Sequence, residues 1–279
     1  MPNNRIRSAL LLTALTLLFM AFGLLIGGNQ GMKAAFVAAL VMNLLAWWFS
    51  ANLVLAQTKA KLVSPETAPE LHALTAHLAE RAGLPMPRLA VVDDPAPNAF
   101  ATGRNPSHAV VAVTTGLLNL LNREELAGVL GHELTHVKNR DILVGSLAAV
   151  LAGAIMLLAN LGRFNSMFRG SGRGRGGNPI AGLLLAMLAP MAAMVIQAAI
   201  SRSREYLADD GGADIAGTPA GLASALDKLG RWSGQPRQSV PSAAHLYIVN
   251  PLSRRSLTNL FATHPPLEER IARLRGEII

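Results

Sequence analysis

A chain of 279 residues has room for one large domain, or for a smaller one joined to membrane segments. Only 15% of its residues are charged and 51% are apolar, against about 25% charged in an ordinary soluble domain, so the membrane-linked alternative is favoured. The formal net charge is +8, but no aromatic-interleaved basic motif accompanies it, and attraction to an anionic membrane surface explains the excess more simply than nucleic acid. With no cysteine, disulfides and thiolate metal sites are excluded.

From the N-terminus, residues 8–32 and 34–58 carry no charged side chain, and Lys33 alone separates them. Each run exceeds the roughly 20 residues a helix needs to cross a bilayer core. Arg5 and Arg7 resemble the basic start of a signal peptide, but no small-x-small cleavage site stands out after Gly28. A retained transmembrane hairpin over 1–56 is therefore expected, with Gly27, Gly28, Asn29, Gln30 and Gly31 as its turn. Arg5 and Arg7 precede the first arm, and Lys59 and Lys61 follow the second. The positive-inside rule then places both ends, and the segment 57–141 after them, in the cytoplasm.

Within that segment Arg88–Val92 and Ala109–Val113 read as short strands, separated by the turn-rich stretch Asp93–Pro97 and by Asn98–Gly103. A helix follows. Asn122 is its N-cap, Glu125 completes a capping-box pattern, and apolar residues continue at helical spacing through Val137. This helix carries His132-Glu133-Leu134-Thr135-His136. Side chains four apart share one helix face, so both imidazoles can reach one metal ion, with Glu133 beside them as general base.

A catalytic metal site needs a third protein ligand. Beyond a second apolar pair, 142–162 and 176–201, comes Ser201-Arg-Ser-Arg-Glu205-Tyr-Leu-Ala-Asp209. Glu205 is the candidate third ligand, and Asp209, one turn on, the candidate to orient a ligand histidine. The alternative is that both simply pair with Arg202 and Arg204 on a solvated face. The histidines and Glu205 must share one side of the membrane, which requires an even number of crossings between them; a second hairpin over 142–200 satisfies this. Its loop carries Arg163, Arg169, Arg173 and Arg175, so either a basic loop is translocated or the pair enters the bilayer and returns.

Taken together, the order of these features resembles the HtpX membrane metalloproteases, relatives of the CAAX prenyl endoproteases. The resemblance covers nearly the whole chain and rests on the N-terminal hairpin, Asn98-Ala-Phe-Ala-Thr-Gly103, His132–His136, Ser201–Asp209 and Phe261-Ala-Thr-His-Pro-Pro-Leu-Glu-Glu-Arg270. It implies one zinc ion per chain on His132, His136 and Glu205. It also implies an edge strand at Asn98, Ala99, Phe100, Ala101, Thr102 and Gly103 on which an extended substrate could pair, and His264 as an oxyanion donor. The implied substrates are unfolded or damaged membrane proteins, cut at the cytoplasmic face of a bacterial inner membrane in stress-linked quality control.

The expected architecture is thus α+β and predominantly helical: two helical hairpins and a zincin-like protease domain built from 57–141 and 201–279. Two other classes are weighed against it. An intramembrane or prenyl-protein-type protease would hold its histidines at membrane depth, against which Asn122, Arg123, Glu124 and Glu125 speak. A non-enzymatic scaffold would not need Glu133, and a transporter would place ionisable residues inside the apolar runs.

Overall fold

The computed structural model of the chain describes residues 4–150, 202–232, 248 and 265–277. Most of the second apolar pair, its Gly/Arg-rich loop and His264 lie outside the described residues.

The N-terminal helical element α1 (Asn4–Thr58) is two antiparallel arms broken at Gly27 and Gly28, where φ is −132° and +58°. The turn is tighter than the five-residue stretch expected from sequence, since glycine at a positive φ lets one residue reverse the chain without a Cβ clash. Asn43 Nδ2 crosses between the arms to Thr16 Oγ1 at 2.9 Å and to the Leu12 carbonyl at 3.3 Å. The Gly27–Thr58 arm is long and apolar enough to cross a membrane by length and composition. Its outward face is apolar from Phe36 to Leu53, while Ala39, Ala46, Ser50, Ala51, Val54 and Leu55 are buried.

A four-stranded sheet follows, built from β1 (Lys61–Val63), β2 (Arg88–Val92), β3 (Ala99–Thr102) and β4 (Val110–Thr114) in the order β1-β2-β4-β3. β2 and β4 run parallel, while β1 and β3 are antiparallel to their neighbours. β4 starts one residue later than expected because Ala109 ends a short 3-10 turn, Pro106–His108. All five residues of β4 are buried, which explains its unbroken apolar sequence: a strand covered on both faces has no polar side to alternate with. One face, with Leu89, Ala101, Val111 and Val113, packs on the main helical layer. The other, with Ala90, Phe100, Val110 and Ala112, packs on Ala51, Val54 and Leu55 at the end of α1.

The main helical layer comprises α2 (Pro69–Ala82), α3 (Thr115–Leu120), α4 (Arg123–Lys138), α6 (Arg202–Ala216), α7 (Ala220–Arg231) and α8 (Leu267–Leu274), with α5 (Asp141–Val150) leaving the end of α4 towards the sheet's other face. α4 is its central member, packed against α2, α6, α7 and β3. Its crossing with α6 depends on Gly131 and Gly212, which lie backbone to backbone: a Cβ on Gly131 would stand 2.6 Å from the Gly212 carbonyl oxygen. That approach decides how far Glu205 reaches. The Ala127–Leu130 stretch meets α7 in the same way, through Gly128 against Leu222.

Candidate metal centre

α4 begins as its sequence dictates. Asn122 Oδ1 accepts from the Glu125 N–H, and Glu125 Oε2 accepts from the Asn122 N–H, both at 2.9 Å. Glu125 is not in water, however, as its use above as a mark of an aqueous setting assumed. It is buried, and accepts hydrogen bonds from Lys228 and Ser224 of α7, each at 2.7 Å. Burial raises the pKa of its carboxyl, but these donors outweigh that and hold it below the ordinary glutamate value.

Two turns on, His132 and His136 present their Nε2 atoms to one another at 3.2 Å, with the rings nearly perpendicular. Two nitrogens bound at about 2.0–2.1 Å to a tetrahedral zinc ion stand roughly 3.3 Å apart. Glu205, from α6, completes the cluster: Oε2 is 3.8 Å from His132 Nε2 and Oε1 is 3.8 Å from His136 Nε2. The three donor atoms lie within 4.8 Å of one another. The donor set, its spacing and its burial fit a divalent metal ion.

The outer nitrogens show which protonation state the rings take. His132 Nδ1 is 2.9 Å from Asp209 Oδ1, and His136 Nδ1 is 3.2 Å from Asp141 Oδ2. An ionised carboxylate can only accept, so each Nδ1 carries a hydrogen, and with a metal ion bound each Nε2 would turn its lone pair to the common point. Asp209 is itself gripped by Arg270, whose Nε and Nη2 donate to its two oxygens at 2.8 and 2.6 Å. Arg270 has no solvent exposure. Burial works against the Asp209 carboxylate, but Arg270 and His132 outweigh it and depress its pKa. Arg204 is not free on a solvated face; it is buried, 3.7 Å from Asp141.

Glu133 is buried beside the two rings. Burial raises its pKa, with Glu205 adding to the effect, while the histidines and the Ala101 N–H of β3 favour its ionised form. His136 lies in the opposite balance. Burial favours its neutral form, but Asp141, Glu205 and Glu133 push its pKa up to about 9. Three carboxylates around one imidazole make a site that attracts a cation, whether proton or metal ion.

The Asn98–Gly103 stretch forms the edge strand β3, joined to the sheet only through β4. Its side chains are committed within the protein. Asn98 Oδ1 accepts from the Ile248 N–H, and the Ile248 carbonyl accepts from Arg270, so the head of the strand is linked through Arg270 and Asp209 to His132. Phe100 is buried on the sheet face away from the metal residues. Thr102 Oγ1 and the Gly103 N–H meet Ser146 Oγ of α5 at 2.7 and 3.1 Å. Tyr206, next to Glu205, turns instead to the Glu269 carboxylate.

Sequence inspection did not single out Asp141, Arg270 or Ser146. Asp141 follows His136 by five residues across a helix break, where Arg140 takes a left-handed φ of 59° and turns the chain back. No helical period connects such a pair. Arg270 stands at the end of a stretch already noted, but its partner lies 61 residues away. A buried arginine needs an acid, and that pairing rule was the one available signal.

Comparison with known proteins agrees with this geometry. The model of "Peptidase family M48" matches residues 65–278. A "Protease HtpX homolog" of Desulforapulum autotrophicum is 56% identical over 98% of this chain and 90% of its own length. Another, from Thermococcus kodakarensis, is 53% identical over 97% of this chain and 94% of its own. The crystal structure of S. mikatae Ste24p superposes with a TM-score of 0.51 at 19% identity, covering 97% of this chain and 65% of that one; at that identity the likeness is one of fold. The arrangement of helical arms, small sheet and metal-site helix is thus a shared one, and the chain belongs to peptidase family M48, as a metalloprotease homologous to HtpX.

Proposed function

We propose that the protein is a membrane-tethered zinc endopeptidase that cuts extended, unfolded segments of membrane proteins at the cytoplasmic face, in quality control. The observation that carries the mechanism is the junction of α4 with β3, where the Glu133 carboxylate sits between two convergent imidazoles and the Ala101 N–H of the edge strand. An extended chain laid along the open side of β3 would pair with its backbone and present a peptide bond beside Glu133.

His132, His136 and Glu205 would hold the ion; a zinc ion there supplies Lewis acidity towards the peptide carbonyl and acidifies a water. Glu133 takes the proton of the attacking water on its carboxylate and delivers it to the departing amine nitrogen. A raised pKa suits that exchange, because the carboxylate must both accept and release within one turnover. Asp209 and Asp141 hold the two rings in the Nδ1–H tautomer throughout. His264 would be the oxyanion donor.

Two supports favour the membrane setting: the Gly27–Thr58 arm, and the positive charges that flank the hairpin. The test is cleavage of an unfolded protein by detergent-purified, chelator-treated full chain, with and without added zinc, beside Glu133→Gln. Zinc-restored cleavage in the wild type alone supports the mechanism. Equal cleavage by both proteins would remove Glu133 from the role of base.

A further inference from the structure

We infer that Arg104, Trp47 and Trp48 form a binding site for the phosphate of an anionic phospholipid, which holds the substrate-side edge strand at the bilayer surface. The inference rests on the proposed membrane setting and is independent of catalysis. Three observations converge on it.

The first is height. From the break at Gly28 to Trp48 the arm runs 20 residues, which at about 1.5 Å per residue spans roughly 30 Å, the thickness of a bilayer's hydrocarbon core. Trp48 is 52% exposed and follows the exposed Leu44 and Leu45. From this level the helix's inner face docks on the protein, with Ser50, Ala51, Val54 and Leu55 buried and the last three packed on the sheet, while Phe49 and Leu53 remain exposed on the outer face. An indole pair at such a boundary sits where an amphipathic ring is most stable, with its body in hydrocarbon and its N–H among headgroups.

The second is charge. The Arg104 guanidinium lies 4.2 Å from the Trp48 ring centroid and 5.9 Å from that of Trp47, and donates through Nη1 to the Trp48 carbonyl at 3.3 Å. The aromatic faces and the carbonyl fix the guanidinium plane, but neither neutralises its charge. Among the described residues no carboxylate forms an ion pair with it. A guanidinium has five N–H donors and the carbonyl takes one, so a fork remains for a phosphodiester, the anion that a bilayer supplies at this depth.

The third is connection. Arg104 comes two residues after the end of β3, and the Gly103 between them, at φ +140°, is pressed against the His108 carbonyl, where a Cβ would stand 2.5 Å away. A lipid held by Arg104 therefore bears directly on the strand proposed to align the substrate.

The test uses the full chain carrying Trp232→Phe, so that Trp47 and Trp48 alone fluoresce, in phosphatidylcholine bilayers holding a minor share of phosphatidylglycerol. Acyl chains brominated near the headgroup should quench several-fold more than chains brominated near the methyl end. Brominated phosphatidylglycerol should quench well beyond its mole fraction, and inorganic phosphate should not displace it. Arg104→Gln should abolish that excess without changing depth, and Arg104→Lys, which keeps the charge, should retain part of it. Strongest quenching from the bilayer centre, phosphatidylglycerol quenching in mere proportion to its share, or an excess that survives Arg104→Gln would each overturn the site. Absence of quenching by any lipid would overturn the membrane setting itself.

Discussion

The two ligand histidines sit on one helix face, four residues apart, yet the protein supports them unequally. His132 is almost fully buried, and its partner Asp209 is clamped through Nε and Nη2 of an arginine that never meets solvent. His136 is half-buried, its partner Asp141 is 3.2 Å away, and the nearest arginine nitrogen stands 3.7 Å beyond. The first support is long-range, joining α4, α6 and α8; the second is local, made by the turn that ends α4. A helix can set two imidazoles side by side without help. Holding one of them rigidly requires parts of the chain distant in sequence.

Five variants probe that contrast, beginning with the carboxylate that lies beside both rings. Glu133→Gln should reduce kcat by about 10²–10⁴-fold, the usual worth of a positioned general base, with zinc content unchanged; a matching loss of zinc would show that Glu133 serves the metal rather than the proton. Arg270→Met comes next. Stripping a buried carboxylate of its partner costs about 3–5 kcal/mol, so a large fall in thermal unfolding temperature in detergent is expected. An unchanged midpoint would mean that the long-range limb is not stiff.

Third, Asp209→Asn and Asp141→Asn can be compared by competition with a zinc chelator. Loss of an outer hydrogen-bond partner weakens metal binding by about 10–100-fold; Asp209→Asn should fall at the upper end and Asp141→Asn at the lower. Equal losses would break the contrast between the limbs. The smallest effect lies away from both, at the start of α4. The Glu125 pKa is depressed in the fold, so its contribution is complete above its unfolded value, about 4.3, and is lost as pH falls through the lower folded value. Glu125→Gln should remove that acid-side decline, worth about 1 kcal/mol for a pair whose lysine is partly exposed. Wild-type and variant stabilities measured from pH 6 down to pH 3 would reveal it.

Local rules made much of this molecule readable. The capping box at Asn122 and Glu125, the start of the zinc helix, β2 at Arg88–Val92 and the hairpin break at glycine all follow from short-range geometry, and each is found where it is expected or within a residue or two. Two histidines and a glutamate at helical spacing carry their chemistry with them wherever the helix goes. The burial of Glu125 was misread for the complementary reason: a capping carboxylate has the same sequence signature in water and against Lys228.

By itself, then, the sequence determined the apolar arms, the strand and helix starts, and the convergence of His132 and His136, because each depends on residues a few positions apart. Only the tertiary structure decided that Glu205 meets them through the Gly131–Gly212 approach, that Arg270 locks Asp209, and that Asn98 spends its side chain on Ile248. Those contacts join residues dozens to more than a hundred positions apart. Nothing in the local pattern distinguishes a buried arginine or carboxylate from a solvated one until packing removes the water around it.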